Sequence, residues 1–297
     1  MRLRDIYANR NPAISVEFFP PRTDEGDAAL AARVPAIARL KPDYVTVTYG
    51  AGGSGRDRTL GWVRRLRHDF GLDVLCHLTC VGQSRAEVGE VLDQLRALDV
   101  DKIIALRGDP PKGVAEWTAH PDGYRHASEL VAEAVARGFS VAVAGFPEGH
   151  PESPDRASDI RHLKAKVDAG AESIGTQLFL DNDDYTAYVA DARAAGVTVP
   201  VIPGILPFKS AAHLRRFCSD FARTMTGAAR IPEALETRLT ACAGDEAAEA
   251  ALGLDYATEQ CRDLLDRGAP GLHFYCLNES QAVETILERL QLAPAKG

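Results

Sequence analysis

Short apolar runs recur along this chain at intervals of roughly 30 residues, and that spacing constrains the fold more than any other feature. They occupy residues 14–18, 44–48, 74–78, 103–106, 140–144, 173–178, 199–205 and 271–275, each short enough for a buried strand. Amphipathic helical sequence lies between them. In the clearest case Ser84-Arg-Ala-Glu87 reads as a capping box, and Val88, Val91, Leu92, Leu95 and Leu98 follow on one helical face. Gly71, Gly138, Gly170, Gly196 and Gly268 close helical runs, where a left-handed residue is wanted. Pro35, inside the first of these helices, is expected to kink or shorten it.

Strands alternating with helices imply a parallel sheet, because each return crossing needs a helix. Eight such units in 297 residues fit an α/β fold of the closed (β/α)8 TIM-barrel type better than an open sheet. The interval from Phe208 to Pro270 is long enough for two or three helices, so extra helices are expected between strands 7 and 8. No linker or low-complexity run interrupts the pattern, and residues 1–297 read as a single catalytic domain.

A content of 45% hydrophobic and 26% charged residues is that of an ordinary globular chain. The net charge of −8, with no basic stripe interleaved with aromatics, argues against nucleic acid as a partner. No stretch has the apolar length of a membrane span or of a signal segment. Cys76, Cys80, Cys218, Cys242, Cys261 and Cys276 show no Cys-x-x-Cys spacing, so reduced thiols in a cytoplasmic protein are expected.

Gly50-Ala-Gly-Gly-Ser-Gly55 matches the dinucleotide-binding pattern G-x-G-x-x-G between a strand and a helix. That fingerprint also needs an acidic residue at the end of the next strand, and here the strand ends in His77 and Thr79. A glycine-rich turn is the better account.

In a barrel of this type chemistry sits at the carboxyl ends of the strands. Read in order, those ends supply Glu17, Thr48, His77, Arg107 with Asp109, Gln177 and Asn278, and the loop after strand five carries His150. Strand alternation puts Ser15 and Glu17 on one face and Val16 and Phe18 on the other. Glu17 would then aim into the barrel, where desolvation is expected to raise its pKa and suit it to proton donation; a pairing with a buried Arg or Lys is the structural alternative. Arg107 and Asp109, delivered by a strand that stops at Pro110-Pro111, likewise admit both a site and a salt-bridged loop. The eight histidines show no ligand spacing, so no metal is expected.

These stretches resemble the methylenetetrahydrofolate reductase family. The resemblance rests on Val16-Glu-Phe-Phe-Pro-Pro21, Val45-Thr-Val-Thr-Tyr-Gly50, His77-Leu-Thr-Cys80 and Ala105-Leu-Arg-Gly-Asp109. It continues through Phe146-Pro-Glu-Gly-His-Pro-Glu152, Lys166-Val-Asp-Ala-Gly-Ala171, Thr176-Gln-Leu-Phe179, Pro203-Gly-Ile-Leu-Pro207 and His273-Phe-Tyr-Cys-Leu-Asn278. It implies FAD as cofactor, NAD(P)H as electron donor, and ping-pong hydride transfer to 5,10-methylenetetrahydrofolate, giving 5-methyltetrahydrofolate. Glu17 would be the proton donor and Asp109 the charge beside flavin and pterin. Thr48, Tyr49, His77, Arg107, Gly108, Asp109, Ala127, Phe146, His150, Asp159, His162 and Lys166 would hold the cofactor. Gln177, His213, Phe217 and Glu279 would bind folate and nicotinamide, and a homo-oligomer is expected.

Some positions depart from the bacterial pattern of that family. Phe146 replaces a tyrosine, His162 and Ala165 stand for an asparagine and an arginine, His213 for a glutamine, and Glu279 for a basic residue. Lys164 or Arg161 would take over from the lost arginine. A flavin-free reductase on the same barrel and a non-catalytic folate- or flavin-binding barrel are the competing readings, and Glu17 argues against the latter because binding alone needs no buried proton donor.

Overall fold

Every apolar run forms strand, and the strands pair in the order the alternation requires. A computed structural model describes residues 1–49, 55–109, 118–223 and 229–293, with backbone alone for 220–223. The glycines of the turn at 50–54, and Pro110 and Pro111, fall outside the described residues.

The first half of the chain contains α1 (Leu3–Asn9), β1 (Ala13–Phe18), α2 (Asp24–Ala38), β2 (Tyr44–Val47), α3 (Arg56–Arg64), β3 (Val74–Thr79), α4 (Arg85–Ala97), β4 (Lys102–Leu106) and α5 (Ala127–Ala136). Then come β5 (Ser140–Gly145), α6 (Arg156–Asp168), β6 (Ser173–Thr176), α7 (Asn182–Ala194), β7 (Val201–Ile202) and β8 (Gly204–Ile205). Three helices follow, α8 (Ala211–Arg223), α9 (Glu233–Ala241) and α10 (Glu246–Asp266), before β9 (Gly271–Phe274) and α11 (Gln281–Arg289). The extra helices between the last strands therefore lie where the sequence left room for them.

All pairings are parallel, in the order β7-β6-β5-β4-β3-β2-β1-β9-β8. The seventh run, expected as one strand, is divided at Pro203, which has no N–H to give a ladder. Its first half pairs with β6 and its second with β9, while the Pro203 carbonyl accepts from the His273 N–H at 3.0 Å. The divided strand thus closes a (β/α)8 TIM barrel.

Alternation sorts the barrel's two faces. Val16, Phe18, Val45, Val47, Ile103, Ala105, Leu272 and Phe274 point outward into the main core beneath the helices. Ser15, Glu17, Thr46 and His273 are buried among themselves inside. Helix α2 continues through Pro35 to Ala38, so the proline falls in its last turn. The capping box of α4 forms with both bonds present.

Helix α1 is not signalled by the apolar pattern. It closes the amino-terminal end of the barrel, burying Leu3 and Ile6 against Ala13, Tyr44, Leu75 and Ala142. Each such side chain contributes about 1.5–3 kcal/mol on burial. A polar anchor holds the helix: Ser140 donates to Glu172 at 2.6 Å and accepts from the Leu3 N–H at 2.9 Å, and Arg2 pairs with the same Glu172.

Candidate active site

Glu17 sits on the inner face of β1 and is 5% exposed. The β1–β2 register sets it beside Thr46, whose hydroxyl donates to Oε2 at 3.2 Å. Two imidazoles converge on the same oxygen, His77 Nε2 at 3.2 Å and His273 Nε2 at 3.7 Å. Burial alone pushes this carboxyl up, but the His273 and His77 contacts outweigh it and bring the pKa down to about 2. The expected upward shift is therefore overturned. A single strand's alternation shows the burial of Glu17 but not the imidazoles that β3 and β9 deliver to it. Among the described residues no cluster has the arrangement of a metal site.

The end of β4 delivers Arg107, Gly108 and Asp109. Arg107 pairs with Glu152 of the loop after β5, so the salt bridge considered for this stretch exists. Gly108 has a φ of +88°, and a Cβ there would come within 2.5 Å of Val81 Cγ1, which explains glycine at this point. Asp109 is half-buried, and desolvation raises its pKa against the opposing pull of Arg107.

Beyond β5 lies a second polar group. Phe146 meets His150 edge-on at 4.6 Å, and Lys166 Nζ lies 5.9 Å from the Phe146 ring centroid. Lys166 donates to the Ala144 carbonyl at 2.6 Å, and burial lowers its pKa to about 8. Burial and the nearby Arg107 take His150 down to about 4, leaving a neutral ring whose Nδ1 accepts from the Glu152 N–H. Asp159, on the same helix as Lys166, is 6% exposed with its pKa raised by burial, and its Oδ2 has no hydrogen-bond partner. Thr79 Oγ1 and the hydroxyl of Tyr49 are buried in the same unpartnered state. Thr48 follows β2, its N–H bonded to Phe18 O, and Ala127 opens α5. His162 is exposed on α6; of the two candidates to replace the missing arginine, Arg161 donates to Ser158 and Lys164 pairs with Asp168.

Gln177 follows β6, half-buried, its backbone N–H on Gly145 O at 2.8 Å. His213 and Phe217 stand on α8 with ring centroids 5.7 Å apart, and His213 Nδ1 is buried without a partner. Glu279 is paired with Lys209 and lies 3.6 Å from Arg33. A position expected to contact folate through a basic side chain thus carries an acid bonded to a neighbouring lysine.

Three inward residues were not carried into the expected site. His273 and Tyr275 alternate with Leu272 and Phe274, so the period of the last strand carried the signal. Thr46 becomes significant only once the register with Glu17 is known. Asn278 has a different task from that of a ligand contact. It accepts from the Phe19 N–H at 2.9 Å and donates to the Phe19 carbonyl at 2.8 Å, fastening the loop that follows Glu17. The arrangement offers a buried carboxylate between two imidazoles near the carboxyl-terminal end of the barrel, and the cations Arg107 and Lys166 at the ends of neighbouring strands and helices.

Comparison with known proteins adds a lineage to this geometry. The profile of the methylenetetrahydrofolate reductase family matches residues 2–291. Methylenetetrahydrofolate reductase 1 of Schizosaccharomyces pombe is 37% identical over 94% of this chain and 46% of its own length. The chain spans about half the length of such eukaryotic relatives. The 5,10-methylenetetrahydrofolate reductase of Pectobacterium carotovorum is 34% identical over 95% of this chain and 91% of its own. Among solved structures, an uncharacterized Clostridium thermocellum protein that binds two copies of 5-methyl-5,6,7,8-tetrahydrofolic acid superposes with a TM-score of 0.61 over 96% of each chain. At 17% identity that likeness shows the fold alone. The family profile over nearly the whole sequence, and a bacterial relative matched almost end to end, make this chain a member of the methylenetetrahydrofolate reductase family.

Proposed function

We propose that the protein reduces 5,10-methylenetetrahydrofolate to 5-methyltetrahydrofolate with electrons from NAD(P)H, in a ping-pong sequence through FAD. The observation that carries this reading is Glu17, buried between His77 and His273 at the carboxyl-terminal end of the barrel in a chain of this family. Opening the folate's five-membered ring needs a proton on the departing nitrogen, and Glu17, once protonated in the turnover complex, would deliver it.

The residues fit a flavin. Unpartnered Asp159 Oδ2, Thr79 Oγ1 and Tyr49 hydroxyl are polar atoms wanting a ligand. Asp159, Lys166, His150 and Arg107 would hold its polar portion, with Thr48, Tyr49, His77, Gly108, Ala127, Phe146 and His162 completing the cradle. FAD supplies, when bound, the two-electron carrier between the two substrates. Asp109 would put negative charge near the cationic iminium that the ring-opened folate becomes. Gln177, with Phe217 and His213 on α8, would bind each substrate in turn.

The test begins with the visible spectrum of the purified protein. Anaerobic titration with NADH, then NADPH, should bleach the flavin bands, and methylenetetrahydrofolate should restore them. A colourless protein that still forms 5-methyltetrahydrofolate refutes the flavin route, and a reduced flavin indifferent to the folate refutes the substrate.

A further inference from the structure

On the reading just given, cofactor and substrate contacts lie on three separate elements of the rim: the loop after β5, the loop after β6 and helix α8. Strand pairing alone does not fix such elements against one another. We propose that Glu148 is a positioning residue that does: its carboxylate fastens the loop of Phe146 and His150 to the segment that packs on α8, and, through Arg230, to the start of α7 beyond Gln177.

A turn closed by the Gly149 N–H on the Phe146 carbonyl, at 2.9 Å, carries Glu148. Both oxygens of its carboxylate accept from the backbone N–H of Arg230, Oε1 at 3.1 Å and Oε2 at 2.9 Å. The Arg230 guanidinium crosses to α7, donating to Asp184 Oδ2 at 3.0 Å with Asp181 Oδ2 at 3.7 Å. Asp181 caps that helix by accepting from the Asp183 N–H at 3.0 Å, and Leu178, Phe179 and Leu180 link it to Gln177. Ala229, next to Arg230, is buried in an apolar cluster with Leu178 and Leu180 of the β6 loop and Leu214 and Cys218 of α8. Phe217 packs against the same cluster. One carboxylate thus stands where the three elements meet.

An ionised carboxyl has only acceptors, so it can share the Arg230 N–H between both oxygens; a protonated one carries a hydroxyl on one side and keeps a single good acceptor. A bond to the charged form is also roughly twice as strong as a neutral one. Loss of the charge therefore weakens this fastening without abolishing it. Burial, with Asp184 and Asp181 beside it, raises the Glu148 pKa to about 7 against the N–H and the charge of Arg230. The fastening consequently exists in two strengths near neutral pH.

The remaining groups around Glu148 are Cys218 of α8 and those that line a cavity of about 560 Å³ with it, His150, Asp155, Arg156, Asp184 and Asp191. Arg156 is engaged elsewhere, donating to the Pro147 carbonyl at 2.5 Å and to Asp191 at 3.0 Å, and Asp155 accepts from the Ser158 N–H at 2.7 Å. Through this cavity the half-buried carboxyl exchanges its proton with solvent. If the ionised form holds the three elements in binding geometry, proton and substrate oppose each other, and linkage makes the effect reciprocal. Substrate then binds more weakly as pH falls through 7, and binding near neutrality releases protons. Glu148→Gln keeps the shape and one acceptor oxygen, so it fixes the weaker fastening at every pH.

Anaerobic rapid mixing of the flavin-loaded protein across neutral pH provides the test. The concentration dependence of bleaching gives the dissociation constant of whichever nicotinamide reduces it, and that of the recovery gives the constant for methylenetetrahydrofolate. In the wild type both constants should rise by about fivefold or more as pH falls through 7, while limiting rates stay within about twofold. Glu148→Gln should hold the low-pH constants throughout and release no protons on binding, with the spectrum and Tm of the wild type. Arg230→Ala keeps the backbone bond but loses a favouring charge, so its pH dependence should persist and move upward. Wild-type constants in Glu148→Gln at every pH overturn the inference. A Glu148→Gln protein that loses Tm and limiting rates with the pH dependence of binding intact also overturns it, because that marks a merely structural joint. A wild-type flavin reduced by nicotinamide but indifferent to methylenetetrahydrofolate refutes the functional reading alone, and the nicotinamide constants still decide the role of Glu148. A protein that binds no flavin refutes both.

Discussion

Replacing Glu17 by Gln tests the centre of the mechanism with little change of shape. The side chain keeps its length and an oxygen to accept from Thr46, which donates at 3.2 Å. It loses the negative charge that two imidazoles face and the ability to carry a proton. A positioned general acid contributes roughly 10²–10⁴-fold, equivalent to about 3–5 kcal/mol in the barrier. Folate reduction by Glu17→Gln should therefore fall by that factor. Reduction of the flavin by NAD(P)H, which needs no proton at the folate nitrogen, should stay within about twofold of wild type, because uniform binding is untouched. Anaerobic rapid mixing separates the steps: bleaching of the flavin after mixing with nicotinamide, then its recovery after mixing the reduced protein with methylenetetrahydrofolate. Recovery within about tenfold of the wild-type rate would remove Glu17 from the proton transfer.

Other perturbations follow from the same contacts. Glu17 titrates at about 2 against a reference of 4.5, so its contribution to stability is full above pH 4.5 and is lost as pH falls toward 2. By linkage that is about 3 kcal/mol, and denaturant melts of Glu17→Gln should lack this part of the acid dependence; parallel curves for both proteins would contradict it. Lys102 is 1% exposed and bridges Asp73 at 2.9 Å and Asp101 at 2.8 Å. Lys102→Met leaves two partly solvated carboxylates unpaired and should cost about 2 kcal/mol in urea unfolding, below the loss typical of fully buried pairs. Gly108→Ala must accept a φ of +88° and a contact of 2.5 Å with Val81, for about 2–3 kcal/mol, and calorimetry should show the lower Tm.

The barrel was legible because its strands are buried on both faces or alternate cleanly, so apolar runs mark them with little ambiguity. The division at Pro203 was written in the residue itself, yet closing the barrel with two half-strands needed partners from β6 and β9. Helix α1 escaped because only Leu3 and Ile6 of its seven residues are buried, too few to establish a period. In the site, position was readable and electrostatics was not. Inward-facing Glu17 followed from period two, but its acidity depends on His77 and His273, which lie far away in sequence and meet it only through register. Likewise Glu279 could be seen to break a pattern, whereas its lysine partner at 209 required the fold.

Glu17 is made long before its surroundings are complete. The residue that fastens the loop behind it, Asn278, is 259 positions away from Phe19, and the imidazole below it is supplied 258 positions after Ser15. A nascent chain that has not yet released β9 therefore exposes a solvated carboxylate, with neither the imidazole contact nor the clip. Arrival of β9 both closes the barrel and brings His273 to that carboxylate. Barrel closure and the burial of Glu17 are a single event.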